Sequence, residues 1–431
     1  MFTSGSGELT RQVRAVSSTL TGPFRFASRT TTIITGKDDL GERPAKPPLR
    51  LEFLDGLRAV AALYVVLFHA GAGFSTNDLP FVARSVRHLL TFGHHAVALF
   101  IVLSGYCLML PVARGNGTLV SGVNHYIARR AWRILPPYYA ALFTTLLLLV
   151  VAPILQTPTG TIWDDTSPAF AFGPIVTHVL VVHNLFPAWI YRINGPLWSV
   201  ATEWQIYFFF PLLLLPVWRR FGLIATVSVG FLVGCAPLFI VPQVAGRWVP
   251  WYLGLFSLGM SAAAIGFSPR PLERWLRERV PWRLVSLALL GACLVGVTVL
   301  IKAWFGWMPV SDALVGATTA AFLLHYTACA LDDEHRKKPL VLRILESRPL
   351  VRLGHFSYSL YLIHLPIVAL CYFALCPLGL SEQARMLALI LVGVPASLAG
   401  AYAFFWLFER RFVGRPPAFF KRLSSRPAAT R

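Results

Sequence analysis

An arginine and a histidine stand in an apolar run near the start of the chain, where a plain membrane anchor would carry neither. Arg58 and His69 are eleven residues apart within residues 54–74, LDGLRAVAALYVVLFHAGAGF. That spacing is about three helical turns, so both side chains return to nearly the same face, about 16 Å apart along the axis. Neutral imidazole is a suitable base near neutral pH, and a guanidinium can hold a phosphate or a carbonyl oxygen. The pair favours acid–base chemistry within a membrane.

A charge at the centre of a spanning helix costs about 2.5 to 3.5 kcal/mol, so such residues usually face a bundle interior and have partners. One candidate partner is Glu203, in the run 195–211, GPLWSVATEWQIYFFFP. On a helix, Ser199 and Tyr207 lie four residues to either side of it and share its stripe. A buried carboxylate must be paired or protonated. The run predicts a functional carboxylate, with a simple salt bridge to another helix as the alternative.

Two further apolar runs carry polar side chains at helical spacing. Ser357, Tyr361 and His364 stand at i, i+4 and i+7, which again makes one polar stripe. An ordinary interhelical hydrogen bond is the alternative there. Ser104 lies near the end of the run 99–106, LFIVLSGY. The alternative to a functional role is that Ser104 and Gly105 mark a close packing point between helices.

A basic amphipathic stretch, YIARRAWRILPPYY, occupies residues 126–139. Arg130 and Arg133 can form one basic face, and planar guanidinium groups pair well with phosphates. Together with Tyr138 they are candidates for binding a phosphate-bearing donor. A positively charged membrane anchor with interfacial aromatic residues is the alternative.

The amino-acid composition indicates which kind of secondary structure carries these side chains. Of 431 residues, 56% are hydrophobic and 13% charged, against about 25% charged in an ordinary soluble protein. We therefore expect an all-α polytopic membrane bundle of about ten transmembrane helices. The run 175–186 is too short to cross and predicts a short re-entrant segment. The expected spans are 54–74, 92–112, 135–155, 198–217, 222–241, 249–267, 284–303, 310–331, 355–376 and 385–408.

The distribution of basic residues explains the net charge of +20 without nucleic acid. With this topology, 32 of the 39 Lys and Arg fall on the side that holds both termini, and 4 fall on the other side. Since positive charge favours the cytoplasmic side, both termini are expected there, in a multi-pass protein of the inner or plasma membrane. The expected domains are a disordered basic tail at 1–50, a membrane domain at 51–415 and a basic tail at 416–431.

Five motifs, in order along residues 50 to 412, resemble those of the acyltransferase family 3 integral membrane proteins. They are Arg58 and His69 after Leu54-Asp55-Gly56-Leu57, the run ending Leu103-Ser104-Gly105-Tyr106, the arginines Arg130 and Arg133, Trp198-Ser199 followed by Glu203, and Ser357-Tyr358 followed by Tyr361, His364 and Pro366. Glu409 matches only weakly, because Arg410 stands where the family usually has proline.

The resemblance implies transfer of an acyl group, commonly acetyl, from a cytoplasmic acyl-coenzyme A to a hydroxyl of a sugar or other envelope or secreted acceptor. It implies His69 as the base, with a transient acyl-imidazole as a variant, Glu203 as its orienting or proton-transferring partner, and Arg58 as a donor-placing group. Arg130, Arg133 and Tyr138 would bind the donor. The supporting polar residues are Asp55, Ser104, Trp198, Ser199, Tyr207, Ser357, Tyr361 and His364. The expected partners are the acyl-coenzyme A donor, the hydroxyl acceptor and the lipid bilayer. No metal and no nucleic acid is expected.

A transporter or flippase is the main alternative, in which intramembrane Arg, His and Glu would form a proton or substrate path. The sequence shows neither an inverted repeat nor paired Gly/Pro-broken helices, which counts against this class. The polar stripes argue against a purely structural scaffold.

Overall fold

The fold is that of a computed structural model, which describes residues 49–71, 81–167, 169–300, 304–332 and 338–414. Within these ranges the chain forms helices and turns without a strand. The predicted tail 416–431 and nearly all of the tail 1–50 lie outside the described residues. The same holds for 72–74 and 301–303, at the ends of two predicted spans.

The helices follow one another with short connections. In chain order they are α1 (Glu52–Gly71), α2 (Phe81–Leu90), α3 (Gly93–Arg114), α4 (Gly122–Val151), α5 (Phe172–Val179), α6 (Leu197–Phe209), α7 (Leu215–Ile240), α8 (Pro242–Trp248), α9 (Tyr252–Phe267), α10 (Pro271–Arg279), α11 (Trp282–Leu300), α12 (Trp304–Leu331), α13 (Leu340–Leu345), α14 (Arg348–His355), α15 (Ser357–Leu375) and α16 (Glu382–Phe404). A π-helical turn, Phe210–Leu214, joins α6 to α7, and another, Phe405–Glu409, extends α16.

The helix lengths confirm a polytopic membrane protein. Among the described residues, eight helices are long and apolar enough to span a membrane, and α10 with α11 forms a further candidate bent by 79°. One of the eight, Leu197–Ile240, has 44 residues. At 1.5 Å per residue it would extend about 66 Å, roughly twice a bilayer core. Gly222 interrupts it with φ 82° and ψ −167°, so it accounts for two of the predicted spans.

The run predicted to be re-entrant is too short to cross. It overlaps α5, which has 8 residues, and contains a 3₁₀ turn at His183–Leu185. An eight-residue helix is about 12 Å long, well below the bilayer thickness.

Helix α1 lies inside the bundle and packs against α3, α14, α15 and α16. Most of its small and apolar residues are buried, including Ala59, Ala62 and Val66 at 0% exposure. We call the two ends of the bundle the Arg58 end, where α1 begins, and the His69 end, where it finishes.

Glycines allow a close contact between α3 and α9. A Cβ on Gly105 would lie 2.1 Å from the carbonyl oxygen of Phe256, and a Cβ on Gly259 would lie 1.9 Å from that of Val102. Only residues without a side chain allow this approach. The Ser-Gly pair of α3 is therefore a packing point, and its serine is left to face the other way.

Candidate active site

A cavity of about 590 Å³ opens among α1, α3, α4, α6, α14 and α15, toward the Arg58 end. Ten of the fourteen residues singled out from the sequence line it. They are Asp55, Arg58, Ser104, Arg130, Arg133, Ser199, Glu203, Tyr207, Ser357 and Tyr361. Motifs about 300 residues apart in the chain thus meet in one space, because the helices that carry them pack against one another.

Arg58 is held in a fixed orientation on the cavity wall. Its guanidinium donates to Asp55 Oδ1 at 2.8 Å, one helical turn earlier. A second nitrogen lies 3.0 Å from the sulfur of Cys107 on α3. Two separate contacts to one planar group fix its plane as well as its charge.

Glu203 is oriented by two hydroxyl groups. Ser104 donates to its Oε1 from α3, and Tyr207 donates to the same oxygen at 2.6 Å from one turn further along α6. The predicted stripe on α6 is thus present, and Ser199, its third member, shares a hydrogen bond of 2.6 Å with Tyr361 of α15.

Of the two candidate arginines of α4, Arg130 and Arg133, only one has an ion-pair partner among the described residues. Arg133 forms an ion pair of 2.6 Å with Glu409, whose side chain is fully buried. Glu409 also accepts from the backbone N–H and the hydroxyl of Ser359. Arg130 lines the same cavity without an ion-pair partner among the described residues. Arg130 is therefore the cation left available for a ligand.

The cavity lining carries an excess of positive charge. Four arginines, the three already named and Arg50, face two carboxylates, Asp55 and Glu203. Such a lining attracts an anion, and guanidinium groups suit phosphate in particular.

His69 is paired with another histidine rather than with Glu203. Its Nδ1 lies 2.8 Å from the carbonyl oxygen of Val65 and 3.2 Å from Nε2 of His364. The Nδ1 of His364 lies 3.0 and 2.9 Å from the carbonyl oxygens of Leu360 and Tyr361. A carbonyl only accepts, so Nδ1 carries the hydrogen in both neutral rings. Nε2 of His69 is then the unprotonated nitrogen.

The ring of His69 is separated from the large cavity by its neighbours. Tyr361 lines that cavity and contacts His364, with ring centroids 6.0 Å apart. His364 in turn contacts His69, with centroids 4.8 Å apart. His69 itself lines a second, smaller cavity of about 20 Å³. Arg58 and His69, which share one helix, thus serve two different spaces.

Three of the sequence candidates line neither cavity, namely His364, which contacts His69 as described above, Tyr138 and Trp198. Tyr138 is fully buried and donates to the backbone carbonyl of His178 at 2.9 Å, so its binding of a donor stays a prediction. Trp198 stacks nearly parallel on His94, with ring planes 9° apart.

The structure also shows a polar cluster that sequence reasoning missed. Asp312, at 0% exposure, lies 2.9 Å from His94 Nε2 and accepts from the indole nitrogen of Trp251 at 2.8 Å. The sequence feature that could have predicted this cluster is Asp312 itself, an acidic residue within an apolar run, as Glu203 is. This cluster ties α12 to α3 and α9 at the His69 end.

Comparison with known proteins gives a consistent result. A family model described as an acyltransferase domain matches residues 51–406. The chain is 30% identical to Acyltransferase MdmB of Streptomyces mycarofaciens, over 75% of this chain and 80% of the relative. It is 26% identical to the putative peptidoglycan O-acetyltransferase YrhL of Bacillus subtilis, over 74% of this chain and 48% of the relative. It is 25% identical to O-acetyltransferase OatA of Staphylococcus aureus, over 74% of this chain and 51% of the relative. The chain thus spans about half the length of the last two. No solved structure matches it.

Proposed function

The chain belongs to acyltransferase family 3, and from this premise we propose that it transfers an acetyl group from cytoplasmic acetyl-coenzyme A to a hydroxyl of an envelope or exported glycan or a secondary metabolite. That it is a membrane acyltransferase follows from the family and from its spanning helices. The observation that carries the finer proposal is the arginine-lined cavity, which joins the matched motifs at the Arg58 end.

The charge distribution supports a cytoplasmic location for the Arg58 end. The 32 to 4 bias in Lys and Arg favours that orientation, and the cavity is then open on the side where coenzyme A is available. Arg130 and Arg133 would hold its phosphates, and Arg58 would place a phosphate or the carbonyl of the donor.

His69 is the proposed general base. Its Nε2 would take the proton of the acceptor hydroxyl, while the Nδ1 hydrogen is shared between Val65 and His364. General-base catalysis by a positioned imidazole contributes about 10²- to 10⁴-fold to a rate. His364 would fix the protonated nitrogen of His69, and Glu203 would assist proton transfer on the donor side. Attack by His69 itself, through a transient acyl-imidazole, is the variant of this mechanism.

Purified protein in lipid nanodiscs tests the proposal. We expect it to release coenzyme A from acetyl-coenzyme A when soluble peptidoglycan fragments or simple glycosides are added, and to acetylate one of them. His69→Gln should lower this turnover by about 10²-fold or more with unchanged acetyl-coenzyme A affinity. His325→Gln, on α12 and outside both cavities, is the control. Full turnover in His69→Gln would reject the base, and acceptor transport without coenzyme A release would identify a transporter.

A further inference from the structure

The large cavity has two chemically different ends. Its four arginines lie toward the Arg58 end of the bundle. The opposite end, which we call the closed end, is lined by side chains of α3, α6 and α15 that carry no charge at neutral pH. They are Val97, Phe100, Ile101, Ser199, Val200 and Tyr361.

The direction of α3 shows how deep the closed end lies. This helix begins at the His69 end, because a Cβ on Gly93 would lie 2.3 Å from the ring of Phe68. Val97 follows one turn later, and it is the first residue of α3 on the cavity wall. Leu108, the last one, is eleven residues further on, which corresponds to about 16 Å. The cavity therefore runs along most of α3.

A layer of side chains closes the cavity beyond this end. His94, in the turn of α3 before Val97, stacks on Trp198 of α6 with ring planes 9° apart, and neither residue lines the cavity. On α15, His364 lies one turn beyond the cavity wall and contacts His69, with ring centroids 4.8 Å apart. The closed end is thus the part of the large cavity that lies closest to His69.

The separation of charged and apolar walls favours one orientation of an acyl-coenzyme A. Its phosphates suit the guanidinium groups near the Arg58 end. They do not suit the closed end, because a buried charge without a partner is strongly unfavourable. The acyl group is at the opposite end of the molecule and is apolar, so it suits the uncharged wall. In this orientation the acyl group approaches His69 as nearly as the cavity allows.

We propose that the closed end is the acyl subsite of the donor, and that Val97, Ile101 and Val200 restrict the acyl group to a short chain. The inference rests on the proposed function and adds the residues that select the acyl group. The three side chains are buried between cavity and bundle. Since protein interiors are closely packed, such side chains have little room to move aside for a longer chain.

Enlarging the closed end tests the subsite. One methylene in an apolar pocket changes discrimination between substrates by about 10- to 200-fold, so the wild-type protein should prefer acetyl-coenzyme A to butyryl-coenzyme A at least tenfold in kcat/KM. Val97→Ala removes two carbon atoms and should lower this preference by about tenfold. Ile101→Ala, which removes three, should act in the same direction. A ratio measured for two donors in one preparation does not depend on the fraction of folded protein.

Val102→Ala is the matched control, because it makes the same change on the same helix. Val102 lies outside the cavity wall, and its Cγ2 is 3.6 Å from the Cβ position of Gly316 on α12. Leu108→Ala is a second control, which enlarges the same cavity at the Arg58 end. Both should retain the wild-type preference between the two donors.

Three results would overturn the assignment. They are an unchanged preference in both Val97→Ala and Ile101→Ala, a preference that changes with Leu108→Ala instead, and equal use of both donors by the wild-type protein. Absence of transfer from either donor by the wild-type protein would, in contrast, reject the proposed function itself.

Discussion

At the scale of single residues, the site depends on which charged groups are already paired. Arg130 and Arg133 lie one turn apart on α4 and line one cavity, but Glu409 occupies only Arg133. A buried carboxylate without its cation is strongly unfavourable, so Arg133 has a structural role in addition to any contact with a donor.

This difference gives opposite predictions for the two arginines. Arg130→Gln should weaken acetyl-coenzyme A binding about tenfold or more, the value of one charged hydrogen bond of about 1.5 to 3 kcal/mol, with normal thermal stability. Arg133→Gln should lower stability by about 3 to 5 kcal/mol, because it leaves Glu409 buried and unpaired. Donor binding by calorimetry and thermal unfolding in detergent measure the two effects.

The double variant Arg133→Gln with Glu409→Gln is the control for the second effect. It removes both charges and should recover part of the lost stability, which a double-mutant cycle quantifies. If both single variants lose the same donor affinity and have the same stability, the ion pair with Glu409 does not give Arg133 a separate structural role.

At the scale of elements, the position of Ser104 depends on how closely α3 approaches α9. Gly259→Ala places a Cβ against the backbone oxygen of Val102, which cannot move aside as a side chain can. Overpacking of this kind costs about 1 to 3 kcal/mol, so the midpoint of thermal unfolding should fall. Gly266→Ala, near the end of the same helix, meets nothing within 4 Å and is the control. If both variants unfold at the same temperature, the contact at Gly259 does not limit how closely α3 and α9 pack.

A second element with a testable property is the segment 172–185 that holds α5. His178 is fully buried and stacks on His183, with ring centroids 3.7 Å apart. Burial lowers the pKa of His178 from 6.5 to about 4, and burial together with His178 lowers the pKa of His183. The unfolded segment then binds more protons than the folded one between about pH 4 and 6.5, so its stability falls as the pH falls through that range.

Hydrogen exchange of residues 172–185 measures this effect. After correction for the intrinsic pH dependence of exchange, protection should be lower at pH 5 than at pH 7. His178→Gln should reduce the difference, because it removes one of the two groups that would be protonated. Equal protection at both pH values in the wild-type protein would show that the histidine pair does not control the segment.

At the scale of the whole molecule, the orientation in the membrane determines which cavity meets which substrate. Reporters fused after Arg220, Arg283, Arg352 and Arg415 should read as cytoplasmic, and those after Asp165, Arg247 and Pro309 as external. The expectation follows from the 32 to 4 distribution of Lys and Arg. Phosphatase and fluorescent reporters check it in pairs. A full crossing by residues 175–186 would reverse the sign at Arg220 and at every later site.

The sequence by itself determined the class of protein and the order of its parts. Apolar runs of about 20 residues, with the length a bilayer requires, predicted a polytopic helical bundle, and the helices confirm it. Local spacing also predicted which side chains share a stripe, as in Ser199, Glu203 and Tyr207, because a helix repeats every 3.6 residues. These properties depend on near neighbours in the chain, which a sequence displays directly.

Only the tertiary structure decided which stripes meet. The partner of His69 is His364, 295 residues away, and not Glu203, the partner favoured from the sequence. Glu409, a weak match to the family motif, is the buried counter-ion of Arg133, and Arg58 and His69 line separate cavities although they share a helix. Such pairings depend on how distant helices rotate and pack against one another. Helical spacing fixes the face on which a residue lies, whereas the residue opposite that face is set by the packing of the whole bundle.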